Sequence, residues 1–172
     1  MRSQIKLLLL FSLLLQSFIS YSQNITASNL INYYRNDFDQ FDTDIQKKDF
    51  DYISIEPRTN EAQIAKYAFK KTIDNGYYTE VFKKIKFKTG VNLLDYQTDK
   101  KNDYLKIKKQ LKAFGFISNK SKNQGSNTIF SYRSANSKYK DIYIQIAVGT
   151  VENSKGKKQV VFEFTLHDDP NM

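Results

Sequence analysis

Apolar side chains recur on every second residue in two runs near the C-terminus. Ile142, Ile144, Ile146 and Val148 alternate in the first, 139–151, and Val160, Phe162, Phe164 and Leu166 in the second, 159–167. Period two puts each set on one face of a strand. Asn153, Ser154, Lys155 and Gly156 lie between the runs. That order suits a type I turn in which Gly156 takes positive φ and forms a bulge. A loop over 154–156 sets Val148 opposite Phe162, Ile146 opposite Phe164 and Ile144 opposite Leu166, so that the large apolar groups share one face. This hairpin is the best-determined part of the chain, and it is scaffold rather than chemistry.

Upstream, the period changes. Leu30, Tyr34, Phe38, Phe41 and Ile45 recur every three or four residues, which predicts one amphipathic helix over 27–49, capped by Thr26 or Ser28. A short strand follows at 51–56 and ends at Pro57. Ala62, Ala65, Phe69 and Ile73 lie along one helical line, and Asn60 with Gln63 forms a capping box, so 61–74 is predicted helical. Tyr78, Val81, Phe82 and Ile85 also sit at helical spacing, although Val81, Ile85 and Phe87 fit a strand. The helix, over 79–88 and stopped by Gly90, is preferred. An apolar connector spans 91–96. Thr98 then caps a helix over 99–114 with Tyr104, Ile107, Leu111 and Phe114 buried, stopped by Gly115. A strand opens at 116–118, a polar loop covers 119–127, and 128–133 is a strand.

The expected fold is therefore α+β. N-terminal helices pack on one face of a roughly four-stranded antiparallel sheet that ends in the long C-terminal hairpin.

The first residues change the picture of location. Arg2 and Lys6 precede an apolar core at 7–15, and Ser20 and Ser22 precede Gln23 as small residues before a cut. This is the pattern of a secretory signal at 1–22, followed by a single domain at 23–172. The apolar run is shorter than the ~20 residues a membrane span needs. The expected location is exported, periplasmic or extracellular, with no transmembrane segment in the mature chain. The chain has no cysteine, which excludes a disulfide-stapled scaffold.

Charge is uneven along the chain. The formal net charge is +9. Segment 23–60 is net −3, from four basic and seven acidic residues, whereas 61–140 is net +12, from eighteen basic and six acidic. Arginine supplies only four of the 27 basic residues, so the excess lacks the group best suited to bidentate phosphate recognition. A compositional origin is the preferred reading of the charge. The candidate anionic-ligand surface is Lys83, Lys84, Lys86 and Lys88, interleaved with Phe82, Ile85 and Phe87, joined by Lys101, Lys108 and Lys112 along one flank of the 99–114 helix. Lys106 and Lys109 are expected further round that helix.

Catalytic and cofactor chemistry has little material. Asp37, Asp39, Asp42 and Asp44 crowd together, but Phe41 and Asp42 occupy the carboxylate and glycine places of a calcium loop. Those four read as a solvated acidic flank, on a helix that can lie against the basic middle of the chain. His167 is the sole histidine. It reads as a frayed C-terminal residue, with Asp169 the one residue placed to share a metal with it. The six glycines stand singly, so no phosphate-cradling loop is present. No catalytic residue, metal or cofactor is expected.

Three functions remain. The first is an exported non-catalytic domain that binds an envelope or extracellular protein. The second is an envelope-associated domain that takes an anionic polymer, whether glycan or nucleic acid, or a lipid, on its lysines. The third is a small secreted hydrolase, which requires a cleft holding His167 or a carboxylate pair with a perturbed pKa.

Overall fold

The structure is a computed structural model describing residues 24–56, 62–69, 72–73, 77–78, 80–152 and 156–168. The signal-like segment 1–22, Pro57, Asp169 and most of the 153–156 turn lie outside the described residues. Three helices are described: α1 (Ala27–Arg35), α2 (Phe38–Gln46) and α3 (Lys101–Ala113). The strands are β1 (Phe50–Glu56), β2 (Ala62–Phe69), the short pair β3 (Thr72–Ile73) and β4 (Tyr77–Tyr78), β5 (Glu80–Phe87), β6 (Asn92–Thr98), β7 (Phe116–Gln124), β8 (Asn127–Ser134), β9 (Tyr143–Glu152) and β10 (Lys158–His167).

The α+β class holds, but the sheet is larger than expected. Eight strands pair antiparallel in the order β1-β2-β5-β6-β10-β9-β8-β7. Six of them, β5 to β10, have described side chains through almost all their length. The terminal hairpin has the expected register: Val148 faces Phe162, Ile146 faces Phe164 and Ile144 faces Leu166. Gly156 has φ +73°, a left-handed conformation in which glycine meets no steric penalty.

The rows of this register build the core. Phe82, Tyr96, Phe164, Ile146 and Phe130 lie side by side across five strands. Phe82 stacks on Tyr96 at 4.5 Å between ring centroids, and Tyr104 of α3 stacks on Phe162 at 4.3 Å. Leu30, Tyr34, Phe41, Ile45, Ile107 and Leu111 are buried in the same cluster. The helices thus cover one sheet face, each through the apolar stripe its sequence encodes.

The N-terminal helix is two helices. Asn36 and Asp37 are extended, with ψ of 150° and 179°. Asp37 accepts from Gln40 N at 2.8 Å and starts α2. A carboxylate that can cap competes with continuing the helix. Thr26 caps α1 as expected, in a reciprocal box with Asn29 at 3.1 Å each way.

Four segments differ in kind from expectation. Segment 61–74 contains strand β2, paired with β1 on one side and β5 on the other. Two ladders of backbone hydrogen bonds override the helical spacing of its alanines. Segment 79–88 contains strand β5, and the 91–96 connector lies largely within strand β6. The polar loop expected at 119–127 holds the outer two-thirds of β7, its turn and the first residue of β8; among the described residues β7 is an edge strand bonded only to β8. Of β7 only Phe116 is buried, so no apolar alternation marks it. Its Lys120 and Lys122 are suited to an exposed edge.

The α3 start also shifts. Lys100 takes the cap position without a side-chain cap bond, while Thr98 Oγ1 accepts from Lys100 N at 3.1 Å. No described helix is long and apolar enough to cross a membrane.

Candidate functional site

Helix α3 lies over the middle of the sheet and leaves a groove beside the β7–β8 end, with a volume of about 620 Å³. Its apolar lining comes from Phe116, Phe130 and Tyr132 of the sheet, with Leu105 of α3 and Ile117 of β7 at the mouth. Leu105 and Ile117 are 49 % and 61 % exposed. Lys108, Lys109 and Lys112 border the same groove from α3.

One helical face produces this arrangement. Positions 105, 108, 109 and 112 follow the three-and-four spacing of neighbours on a helix surface. Ile107 and Leu111 point into the core on the adjoining face.

Lys108 is held in place. Its Nζ donates to the Tyr104 hydroxyl at 3.3 Å and sits 5.3 Å from the Phe130 ring centroid. Burial works to lower its pKa, but hydrogen bonds to the Tyr104 and Tyr132 hydroxyls hold it above the ordinary lysine value. Lys109 and Lys112 are exposed.

The seven lysines singled out in the sequence scatter. Lys108 and Lys112 meet at the groove, and Lys109, expected further round, joins them there. Lys101 is exposed at the first residue of α3. Lys83 stands on the sheet face turned away from the described helices, opposite Asp95. Lys86 and Lys88 are exposed at the far end of β5 and in the turn after it.

Lys84 is inside the protein, 2 % exposed. Its ammonium donates to the carbonyl oxygens of Tyr33 at 2.5 Å, Tyr34 at 3.2 Å and Asn36. These are C-terminal carbonyls of α1, the negative end of the helix dipole. Burial lowers the Lys84 pKa to about 8, while the nearby Asp37 carboxylate opposes the fall. The basic middle of the chain does meet the N-terminal helices, through this buried lysine and also through Gln110, whose Oε1 accepts from Ala27 N at 2.8 Å.

Glu80, two residues before Phe82 on the same face, is also buried, at 0 % exposed. It accepts from the Tyr96 hydroxyl and from Lys100 Nζ, both at 2.6 Å. That satisfied pair fastens the start of α3 to β5.

The opposite sheet face has a polar hollow of about 540 Å³, lined in part by Asp95, Asn127, Gln145, Glu163 and Thr165. Asp95 accepts from Thr165 Oγ1 at 2.7 Å, and burial pushes its pKa up to about 6.

His167 is not frayed. It ends β10 between Leu93 of β6 and Tyr143 of β9, is 2 % exposed, and stacks on Tyr143 at 5.7 Å. Two flanking strands bury the end of β10, so proximity to the C-terminus was a poor guide. Among the described residues no group of three or more His, Cys, Asp or Glu is placed to hold a metal ion.

Sequence reasoning missed Leu105 and Lys109 as one surface, and Asp95 with Glu163 as neighbours. The Leu105–Lys109 pattern was present as an aliphatic residue out of phase with the buried stripe. The second pair required the strand register. No family model, curated protein or solved structure matches the chain.

Proposed function

We propose that the protein is an exported, non-catalytic binding protein whose ligand is an anionic amphiphile, a carboxylate or phosphate head on one acyl chain. The observation that carries this reading is the groove between α3 and the β7–β8 end. An apolar interior formed by Phe116, Phe130 and Tyr132 lies against three lysines on one helical face. Its volume, about 620 Å³, falls in the range of small-ligand sites. The acyl chain lies on the rings, and the head group meets Lys108, Lys109 and Lys112 at the rim. Lysine serves here because a mobile head group needs positive charge more than it needs a fixed fork of donors. Export is supported by the signal-like pattern at 1–22.

A calorimetric titration of residues 23–172 tests the reading. Dodecanoate binds, and dodecyltrimethylammonium and acetate bind at least about tenfold more weakly, because one lacks the negative head and the other the chain. Raising salt weakens the dodecanoate complex, as expected for partly exposed charges. Equal binding of the two dodecyl compounds, or none of dodecanoate, refutes the proposal.

A further inference from the structure

The hollow on the sheet face turned away from the described helices has the opposite chemistry from the groove. Its floor is a small residue, Ala147 of β9. Gly149, two residues on, has the Asn127 carboxamide lying directly over it. A Cβ at Gly149 would fall 1.9 Å from Asn127 Oδ1, so only glycine at this place lets that carboxamide lie flat against the strand. On the other side stand two carboxylates. Thr165 is the direct partner of Asp95 across β6 and β10, which makes Glu163 its diagonal neighbour, close enough for both to meet one small ligand. Glu163 raises the Asp95 pKa through its charge. Gln145, the β9 partner of Thr165, lies between the two walls.

The hollow therefore sets carboxylate acceptors opposite carboxamides that both donate and accept. Neighbouring hydroxyls on a ring have the matching capacity, each giving one hydrogen bond and taking another. Ala147 and Ile129 offer an apolar surface for the C–H face of such a ring. Lys83 stands opposite Asp95 on this face and offsets part of its charge, but no lysine is among the described residues that line the hollow, where an anionic ligand would meet Asp95 and Glu163.

We propose that this hollow is a second binding site, for a neutral saccharide unit. It is separate from the groove and faces away from it across the sheet.

The test is protein-observed NMR on residues 23–172. Methyl glycosides of glucose, galactose, mannose and N-acetylglucosamine are titrated to about 10 mM, with n-butylamine as the competing cationic probe. At least one glycoside shifts the amides of Asp95, Asn127, Ala147 and Thr165. Asn127→Ala and Glu163→Gln each weaken that complex about tenfold or more, the loss expected when a buried polar group loses its partner. Lys109→Gln, at the groove, leaves it unchanged. Both altered side chains are only partly buried, and an unchanged spectrum away from the hollow verifies the fold of each variant. If one variant fails to fold, the other decides. No shift with any glycoside, shifts with butylamine alone, or glycoside binding unaffected by the variants overturns the proposal.

Discussion

Lys84 is the lysine whose removal says most about the fold. Replacing it by methionine keeps a long, flexible side chain at the site but removes the ammonium. The carbonyls of Tyr33, Tyr34 and Asn36, which it now caps, then lose a buried donor. Each buried acceptor left unpaired costs about 1–3 kcal/mol. Loss of a cation at a helix C-terminus adds about 0.3–2 kcal/mol. Relief from burying the charge offsets part of this sum, since burial is the main cause of its lowered pKa. The net expectation for Lys84→Met is a destabilisation of about 2 kcal/mol, or about 4–8 °C in melting temperature for a domain of this size. Lys86→Met, on an exposed residue two positions along the same strand, stays within about 0.5 kcal/mol of the parent. The assay is urea and thermal unfolding of residues 23–172 at pH 7.

The pH dependence supplies a second check on the same residue. The Lys84 pKa in the fold is about 8, below its ordinary 10.5. Between those values the unfolded chain holds the extra proton, so parent stability rises with pH through that window. Lys84→Met lacks this rise, and the gap between parent and variant widens there. A variant as stable as the parent at pH 7 would refute the capping role.

Other perturbations follow from the buried charges. Asp95 has its pKa raised from 3.8 to about 6 by burial. Its stabilising contribution is therefore present below the unfolded value and is lost as pH rises through 6. Asp95→Asn should thus gain about 2 kcal/mol over the parent at pH 8 and almost nothing at pH 4, read from urea midpoints. Lys100→Met leaves the Glu80 carboxylate, 0 % exposed, without its cation and should cost about 3 kcal/mol. Lys101→Met, next in sequence and exposed, serves as its control. Gly149→Ala should displace the Asn127 side chain, seen as shifted amides at Asn127 and in β9, and change stability by no more than about 1 kcal/mol, because the atoms in the way end a flexible, half-exposed side chain.

The legible parts of the chain were those whose burial follows one period. β9 and β10 alternate cleanly, and their register could be read residue by residue. Leu30, Tyr34, Phe41 and Ile45 marked their helical face, though not the break that Asp37 imposes within it.

β5 was hidden for a specific reason. Its core face is Glu80, Phe82 and Lys84, and two charged residues in three core positions erase the alternation that would mark a strand. Both charges are buried because partners far along the chain satisfy them: Lys100 for Glu80, and the end of α1 for Lys84. No local window contains that information. β7 was hidden for the opposite cause, since an exposed edge strand needs no apolar face.

The lysines of α3 were visible as a line. The groove beside them was not, because Phe116, Phe130 and Tyr132 come from strands whose pairing had first to be known. Asp95 and Glu163 are sixty-eight residues apart and become neighbours only through the β6–β10 register.

The most direct test of the groove is a map of where dodecanoate binds. Backbone amide shifts of residues 23–172 should move at Leu105, Lys108, Lys109 and Lys112, and at Phe116, Ile117, Phe130 and Tyr132. The double variant Lys109→Gln/Lys112→Gln, altered at two exposed positions, should weaken binding about tenfold with the same residues still responding. Shifts gathered elsewhere, at β5 or on the opposite sheet face, or affinity indifferent to both substitutions, would contradict the account.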